Sequence, residues 1–162
     1  MGDFYTEKMV KRKAGGRELA PAAGLAAAAL ISAYIALSNL LGVLLVIIFV
    51  GLCVIAVRRS RIEYEYLFIN GDLDIDKIIN RSSRKTVFSM NVSELELLAP
   101  EGSRELERYG NARMLDFSSN QPAFKRYVLV AGRKGELYRV VFEPGEELVE
   151  GFFLMAPRKV LH

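Results

Sequence analysis

Between Leu19 and Val57 the chain carries no charged side chain, an interval of 39 residues in a sequence of 162. Nothing else in the sequence restricts the fold as strongly. A helix crosses the hydrocarbon core of a bilayer with roughly 20 residues at ~1.5 Å each. One continuous helix of this length would run to about 58 Å, nearly twice the core thickness. Two crossings fit better. Ser38-Asn39 is the only adjacent polar pair near the middle, so the turn is expected there, with helices over residues 19–37 and 40–57. Pro21 then falls in a first helical turn, where its missing N–H costs nothing.

The charges flanking this block give an independent argument. Of 22 basic and 19 acidic side chains, eight and three lie in residues 1–61, leaving 14 and 16 beyond. The alkaline pI therefore reflects basic flanks around the apolar block, and the rest is slightly acidic, which speaks against nucleic acid as a partner. Lys and Arg accumulate on cytoplasmic flanks of membrane spans. With both flanks basic and the turn uncharged, two crossings leave both clusters, and both termini, on the cytoplasmic side of the cell membrane. Arg17, Arg58, Arg59 and Arg61 are the expected anchors at the phosphate level. A cleaved signal peptide would have a much shorter apolar core. The basic flanks also oppose an external soluble domain, so the glycosylation-like triplets at Asn80 and Asn91 are read as chance matches.

Within the first helix Ala20, Gly24, Ala28, Ser32 and Ala36 recur at every fourth position. Such stripes let helix backbones approach closely in lipid, where no hydrophobic effect drives association. Gly24, Ala28, Ser32 and Ala36 are accordingly the expected packing face, with the second helix or another copy as its partner.

From residue 62 the pattern changes to short strands and turn signals. Asn70-Gly71 between two β-rich runs marks a hairpin, because a type I′ turn needs positive φ at both central residues. Residues 86–90 and 95–98 read as further strands, 103–109 as a short helix, 114–117 as a strand. Residues 127–131 and 137–142 form a second hairpin around Gly132-Arg133-Lys134-Gly135. Pro144-Gly145-Glu146-Glu147 opens a C-terminal helix with acids in its first turn, where they complement the macrodipole. Leu148, Phe152 and Met155 share one side of it, and Pro157 ends it. The organisation is thus a basic tail (1–18), a transmembrane helical hairpin (19–57), a basic juxtamembrane linker (58–61) and a cytoplasmic β domain with a C-terminal helix (62–162).

Short antiparallel strands closed by one amphipathic helix resemble the pleckstrin-homology-like (PH-like) barrel. Residues 64–98 (YEYLFINGDLDIDKIINRSSRKTVFSMNVSELELL) look like the opening strands of bacterial PH-like membrane proteins. The layout as a whole resembles uncharacterised small two-span bacterial membrane proteins with a C-terminal PH-like domain. The resemblance implies an α+β membrane protein whose antiparallel β domain forms a barrel or sheet. It supplies no activity.

Chemistry-bearing motifs are sparse. Lipid-binding PH domains carry basic residues between their first two strands, whereas this chain has Asn70-Gly71-Asp72 there. Asp72, Asp74 and Asp76 alternate as calcium-loop ligands do, but Lys77 stands where the turn glycine belongs and Ser83 where a bidentate Glu would sit. Period-two spacing in a strand instead puts the three carboxylates on one face. The single cysteine, Cys53, lies in the apolar block, and the single histidine is His162. No catalytic, cofactor-binding or metal-binding residue is expected, and no enzyme fingerprint occurs. Arg81, Arg84 and Lys85 form a basic loop that would gain about 1 kcal/mol per charge if it faced anionic lipid. The expected role is a non-enzymatic membrane protein whose PH-like module binds a protein partner or its own copies. The alternative is a lipid- or ligand-sensing accessory subunit of a membrane complex or transporter. Partners are then the bilayer and a protein or homo-oligomer, with no cofactor and no metal.

Overall fold

The computed structural model describes residues 4–161; residues 1–3 of the basic tail and His162 lie outside the described residues. It divides into two compact units. One is Lys13–Ile62, and the other joins the residues up to Arg12 with those from Glu63 onward.

The first unit is a helical hairpin, α1 (Gly16–Ala36) and α2 (Leu40–Arg59), with the turn at residues 37–39. Both helices are long and apolar enough to cross a membrane, by length and composition. The Asn39 side chain caps α2, accepting from Leu41 N at 2.9 Å. The more buried positions of α2, namely Gly42, Val46, Phe49, Cys53 and Ala56, follow alternating steps of four and three. Ala22, Leu25, Ala29, Ser32 and Ala36 do the same on α1. That spacing keeps one seam of each helix against the other. Cys53 Sγ reaches Ala22 O at 3.4 Å, and Ser32 Oγ returns to Ala28 O at 2.8 Å.

The second unit holds eight strands and a helix: β1 (Tyr5–Arg12), β2 (Ile62–Ile69), β3 (Asp72–Ile79), β4 (Ser83–Asn91), β5 (Leu95–Pro100), β6 (Arg113–Asp116), β7 (Tyr127–Arg133), β8 (Glu136–Phe142) and α3 (Gly145–Met155). They form two four-stranded sheets ordered β1-β2-β3-β4 and β5-β7-β8-β6. Asn70 and Gly71 both have positive φ, at 49° and 96°, as a type I′ turn requires. Lys134 and Gly135 do the same between β7 and β8, at 50° and 81°.

Three expectations are corrected here. The N-terminal segment is not merely a tail: residues 5–12 are β1, paired beside β2. Thr6 and Val10 face inward with 7% and 6% exposure, while Tyr5, Glu7, Met9 and Lys11 face out. The barrel is not closed, because the eight strands are shared between two open sheets. Nor is every pairing antiparallel: β6 lies parallel to β8, Arg113 opposite Tyr138 and Asp116 opposite Val141. The segment 103–109 winds as a 3-10 helix over Arg104–Tyr109.

In sheet two the strand β7 is buried on both faces over Tyr127–Ala131, which explains why that run is apolar without alternation. One face of the sheet meets sheet one through the Tyr66–Phe142 (5.5 Å) and Phe88–Tyr138 (6.3 Å) ring contacts, and α3 meets sheet one through Phe68–Phe152 (4.5 Å). The other carries Leu97, Ala99, Val128, Val130 and Val141 under Leu106 of the 3-10 segment. The outer edge of β5 is covered by the C-terminal residues, where Leu98 bridges Val160 and Leu161 N donates to Leu98 O at 2.7 Å.

Candidate functional site: a cleft beside the C-terminal helix

The β-rich unit carries a cleft of about 570 Å³ between α3, β1 and the start of β7. Tyr127 and Val149 form its buried floor, and Phe124 and Phe153 stand exposed at its lips. Lys8 and Lys125 supply positive charge, and Glu143, Glu146 and Glu150 negative. The Lys125 ammonium lies 5.2 Å from the Tyr127 ring centroid. Lys8 Nζ lies over Gly145, whose φ of +74° and crowded Cα side suit glycine: an added Cβ would sit 3.0 Å from that ammonium.

One wall is braced by a buried carboxylate. Glu143, 2% exposed, accepts from Ser119 N at 3.0 Å and Ser119 Oγ at 2.8 Å through Oε1. Tyr66 donates its phenolic proton to Phe117 O at 2.6 Å, and burial pushes that phenol well above its usual range. Asp116 Oδ1 accepts from Ser118 N and Oγ at 2.9 and 2.7 Å. These bonds fix residues 116–121, leaving the segment to Phe124 and Lys125 as the exposed rim. The arrangement can hold an apolar group against aromatic faces while charged side chains ring the opening.

A second polar feature crosses sheet one. Tyr5 donates to Glu7 Oε2 at 2.6 Å, Arg84 Nε reaches Asp76 Oδ2 at 2.5 Å, and another Arg84 nitrogen pairs with Glu65. Burial pushes the Glu65 carboxyl up, and its hydrogen bond with Glu7 adds to this against the pull of Arg84. Glu7 is held low by the Tyr5 hydroxyl and by Glu65. Burial pushes Asp76 up, but hydrogen bonds from Thr86 and Arg84 outweigh it and leave Asp76 low. Glu7 and Glu65 thus titrate as a pair that shares one proton between a low and a high step. A carboxyl raised in the folded state contributes stability below its unfolded value and loses it as pH rises through the folded one. Stability of the β-rich unit is therefore expected to fall as pH rises through the upper step, above the ordinary glutamate value of 4.5. Melts against pH check this: Glu65→Gln should abolish that upper-limb loss, and an unchanged profile would disprove the shared proton.

The residues singled out from sequence distribute as follows. Arg17, Arg58, Arg59 and Arg61 are exposed at the ends of the helical unit. Arg59 borders a groove between the helices lined by Pro21, Leu25, Leu52 and Ile55. In the small-residue stripe, Ser32 is buried and Ala28 and Ala36 half-buried, but Gly24 is exposed with nothing within 4 Å of an added Cβ. A four-residue step overshoots the 3.6-residue turn by about 40°, so the stripe drifts off the contact seam. Arg81 reaches Glu63 at 3.6 Å, Arg84 is held as described, and Lys85 is exposed on β4. Asp72 accepts from Asn91 Nδ2 at 2.7 Å, on the sheet face opposite the buried Leu73 and Ile75. Among the described residues no group of three or more His, Cys, Asp or Glu side chains could hold a metal ion. The cleft itself is not legible in the sequence, because its residues come from three separated segments. The one local signal is an aromatic residue followed by two basic ones, Phe124-Lys125-Arg126, just before β7.

A family described as Bacterial PH-like domain (DUF6106) matches the chain over residues 2–162. No curated protein and no solved structure matches it.

Proposed function

Because this chain belongs to the bacterial PH-like domain family, we propose that it is a non-enzymatic integral membrane protein holding a PH-like module at the cytoplasmic face of the cell membrane. The module binds another protein or a second copy of itself. The observation that carries this reading is where the apolar hairpin interrupts the fold. The chain leaves the β-rich unit at the end of β1 and returns at the start of β2, and these strands are neighbours in one sheet. Two neighbouring strands cannot lie on opposite sides of a bilayer, so the intervening segment must cross an even number of times. Basic residues on both flanks favour the cytoplasmic side. The cleft, with exposed Phe153 on its rim, offers a place for a partner's apolar side chains.

The test is photo-crosslinking of the full chain in native membranes from a photoreactive residue at Phe153, with exposed Glu105 as the control position. A discrete protein adduct from position 153 and none from position 105 is the expected result. Monomer alone from both positions would defeat the proposal. A second reading, a lipid- or ligand-sensing accessory subunit, draws on the cleft's volume, which lies in the range of small-molecule sites. Adducts to lipid rather than protein from position 153 would favour it.

A further inference from the structure

We infer that the loop preceding β7 is a third membrane contact, with Phe124 seated in the headgroup region of the leaflet that the two spans enter and Lys125 beside the lipid phosphates. This rests on the membrane tether proposed above and not on the identity of any partner. Arg12 is the last residue of the β-rich unit before the spans and Glu63 the first after them. The connections to the helices are only residues 13–15 and 60–61, a reach on the order of 10 Å even when extended. The end of the unit that carries Arg12 is therefore covalently confined to the neighbourhood of the bilayer surface.

The loop is pinned at that same end. Arg12 Nη1 donates to Asp116 O at 2.9 Å and to the Tyr64 hydroxyl at 3.4 Å. The Asn120 amide, turned so that its oxygen faces Arg12, accepts from Nε and Nη2 at 3.2 and 3.3 Å. From Asn120 the chain makes one turn, Phe124 N reaching Gln121 O at 3.4 Å. That turn presents Pro122, Ala123, Phe124 and Lys125 outward, with the Phe124 ring 51% exposed. Arg126 is already committed to Glu101 at 2.7 Å, so Lys125 is the loop's cation.

A large exposed aromatic on a loop tip is costly in water and suited to the bilayer interface, where an adjacent lysine faces anionic phosphate. The opposite end of the unit, where Asn70-Gly71 closes a tight turn with Met155 Sδ 3.2 Å from the Cβ position of Gly71, also exposes Leu154 and Met155, but neither connection to the spans leaves from there.

The chain contains no tryptophan, so each Phe124→Trp, Ile47→Trp and Leu154→Trp variant carries a single reporter. Ile47 and Leu154 are both 65% exposed, one on α2 and the other at the far end of α3. The full chain is reconstituted in vesicles of phosphatidylglycerol and phosphatidylethanolamine with brominated acyl chains, and the loss of emission is read. Quenching of the Phe124→Trp and Ile47→Trp variants, with Leu154→Trp unquenched, is expected. Bromines near the headgroup should quench position 124 more than bromines near the chain terminus. If only Ile47→Trp is quenched, the third contact is overturned while the tether stands. A blue-shifted but unquenched Phe124→Trp signal likewise overturns it, since the ring is then covered by protein. If Ile47→Trp is unquenched, the tether and the inference fall together.

Discussion

A chain lacking residues 4–12 is expected to lose the cooperative unfolding of its β-rich unit, although the deletion removes only a segment that looks from sequence like a membrane-flanking tail. β1 is the edge of sheet one, with Val10 and Thr6 in the core and the Phe4 ring 5.8 Å from Phe68. Its removal exposes the outer side of β2 and withdraws the Thr6 hydroxyl from Glu147 (3.3 Å) and the Arg12 bonds from the loop before β7. Full burial of a valine or phenylalanine side chain is worth about 1.5–3 kcal/mol. Losing two such contacts and a strand's hydrogen bonds should cost more than about 3 kcal/mol, a large part of the ~5–15 kcal/mol that holds a typical domain together. Thermal melts and amide exchange on the detergent-solubilised chain measure this directly. The complementary experiment replaces residues 13–61 with Asn-Gly, joining β1 to β2 through a type I′ turn. That chain should be soluble without detergent and melt cooperatively. A deletion variant that melts like the intact chain, or an Asn-Gly chain that aggregates, would show that β1 is not integral to the unit.

How far the sequence discloses this architecture depends on which physical signal each part leaves. The two helices are legible because a long uncharged run has few other stable destinations, and the turn because Asn39 is a good cap in an otherwise apolar stretch. The Asn70-Gly71 and Lys134-Gly135 hairpins are legible because their positive φ values demand particular residues. β1 is hidden because Lys8, Lys11 and Arg12 give it the charge of a juxtamembrane flank, and only Thr6 and Val10 mark its inward face. Its partner β2 lies about fifty residues downstream, so no local pattern couples them. The parallel pairing of β6 with β8 is hidden for a similar reason: four residues, Arg113–Asp116, carry no direction that a sequence could state. The cleft is assembled from Lys8, the 124–127 segment, Glu143 and α3, and so exists only once β1 is known to be a strand. On the helix stripe, composition identified small residues, but the 3.6-residue turn decides which of them meet the other helix.

That distinction sets up the second large effect, at Gly42. An added Cβ there would collide with Ala36 N and lie 2.6 Å from Ala36 Cα and 2.7 Å from Ile35 C. These are backbone atoms of the other helix at its last turn, so no rotamer change relieves the overlap. Gly42→Leu must push α2 away from the end of α1 or unwind the turn at residues 37–39. Overpacking in a well-filled interior costs about 1–3 kcal/mol, and backbone collisions at a tight turn belong at the upper end or beyond. In lipid the helices associate through close packing rather than through exclusion of water. The lost approach should therefore spread down the seam past Ser32 to Cys53, whose contact with the Ala22 carbonyl requires the helices to stay close. Gly24→Leu is the matched control, because Gly24 has the same residue type within the same hairpin and open space around it. Denaturant titration in mixed micelles, read by crosslinking between cysteines introduced across the helices, should show Gly42→Leu strongly destabilised and Gly24→Leu close to the parent. Equal loss in both variants would mean that the Gly24 position of the every-fourth-residue stripe, and not only the close approach at Gly42, holds the hairpin together.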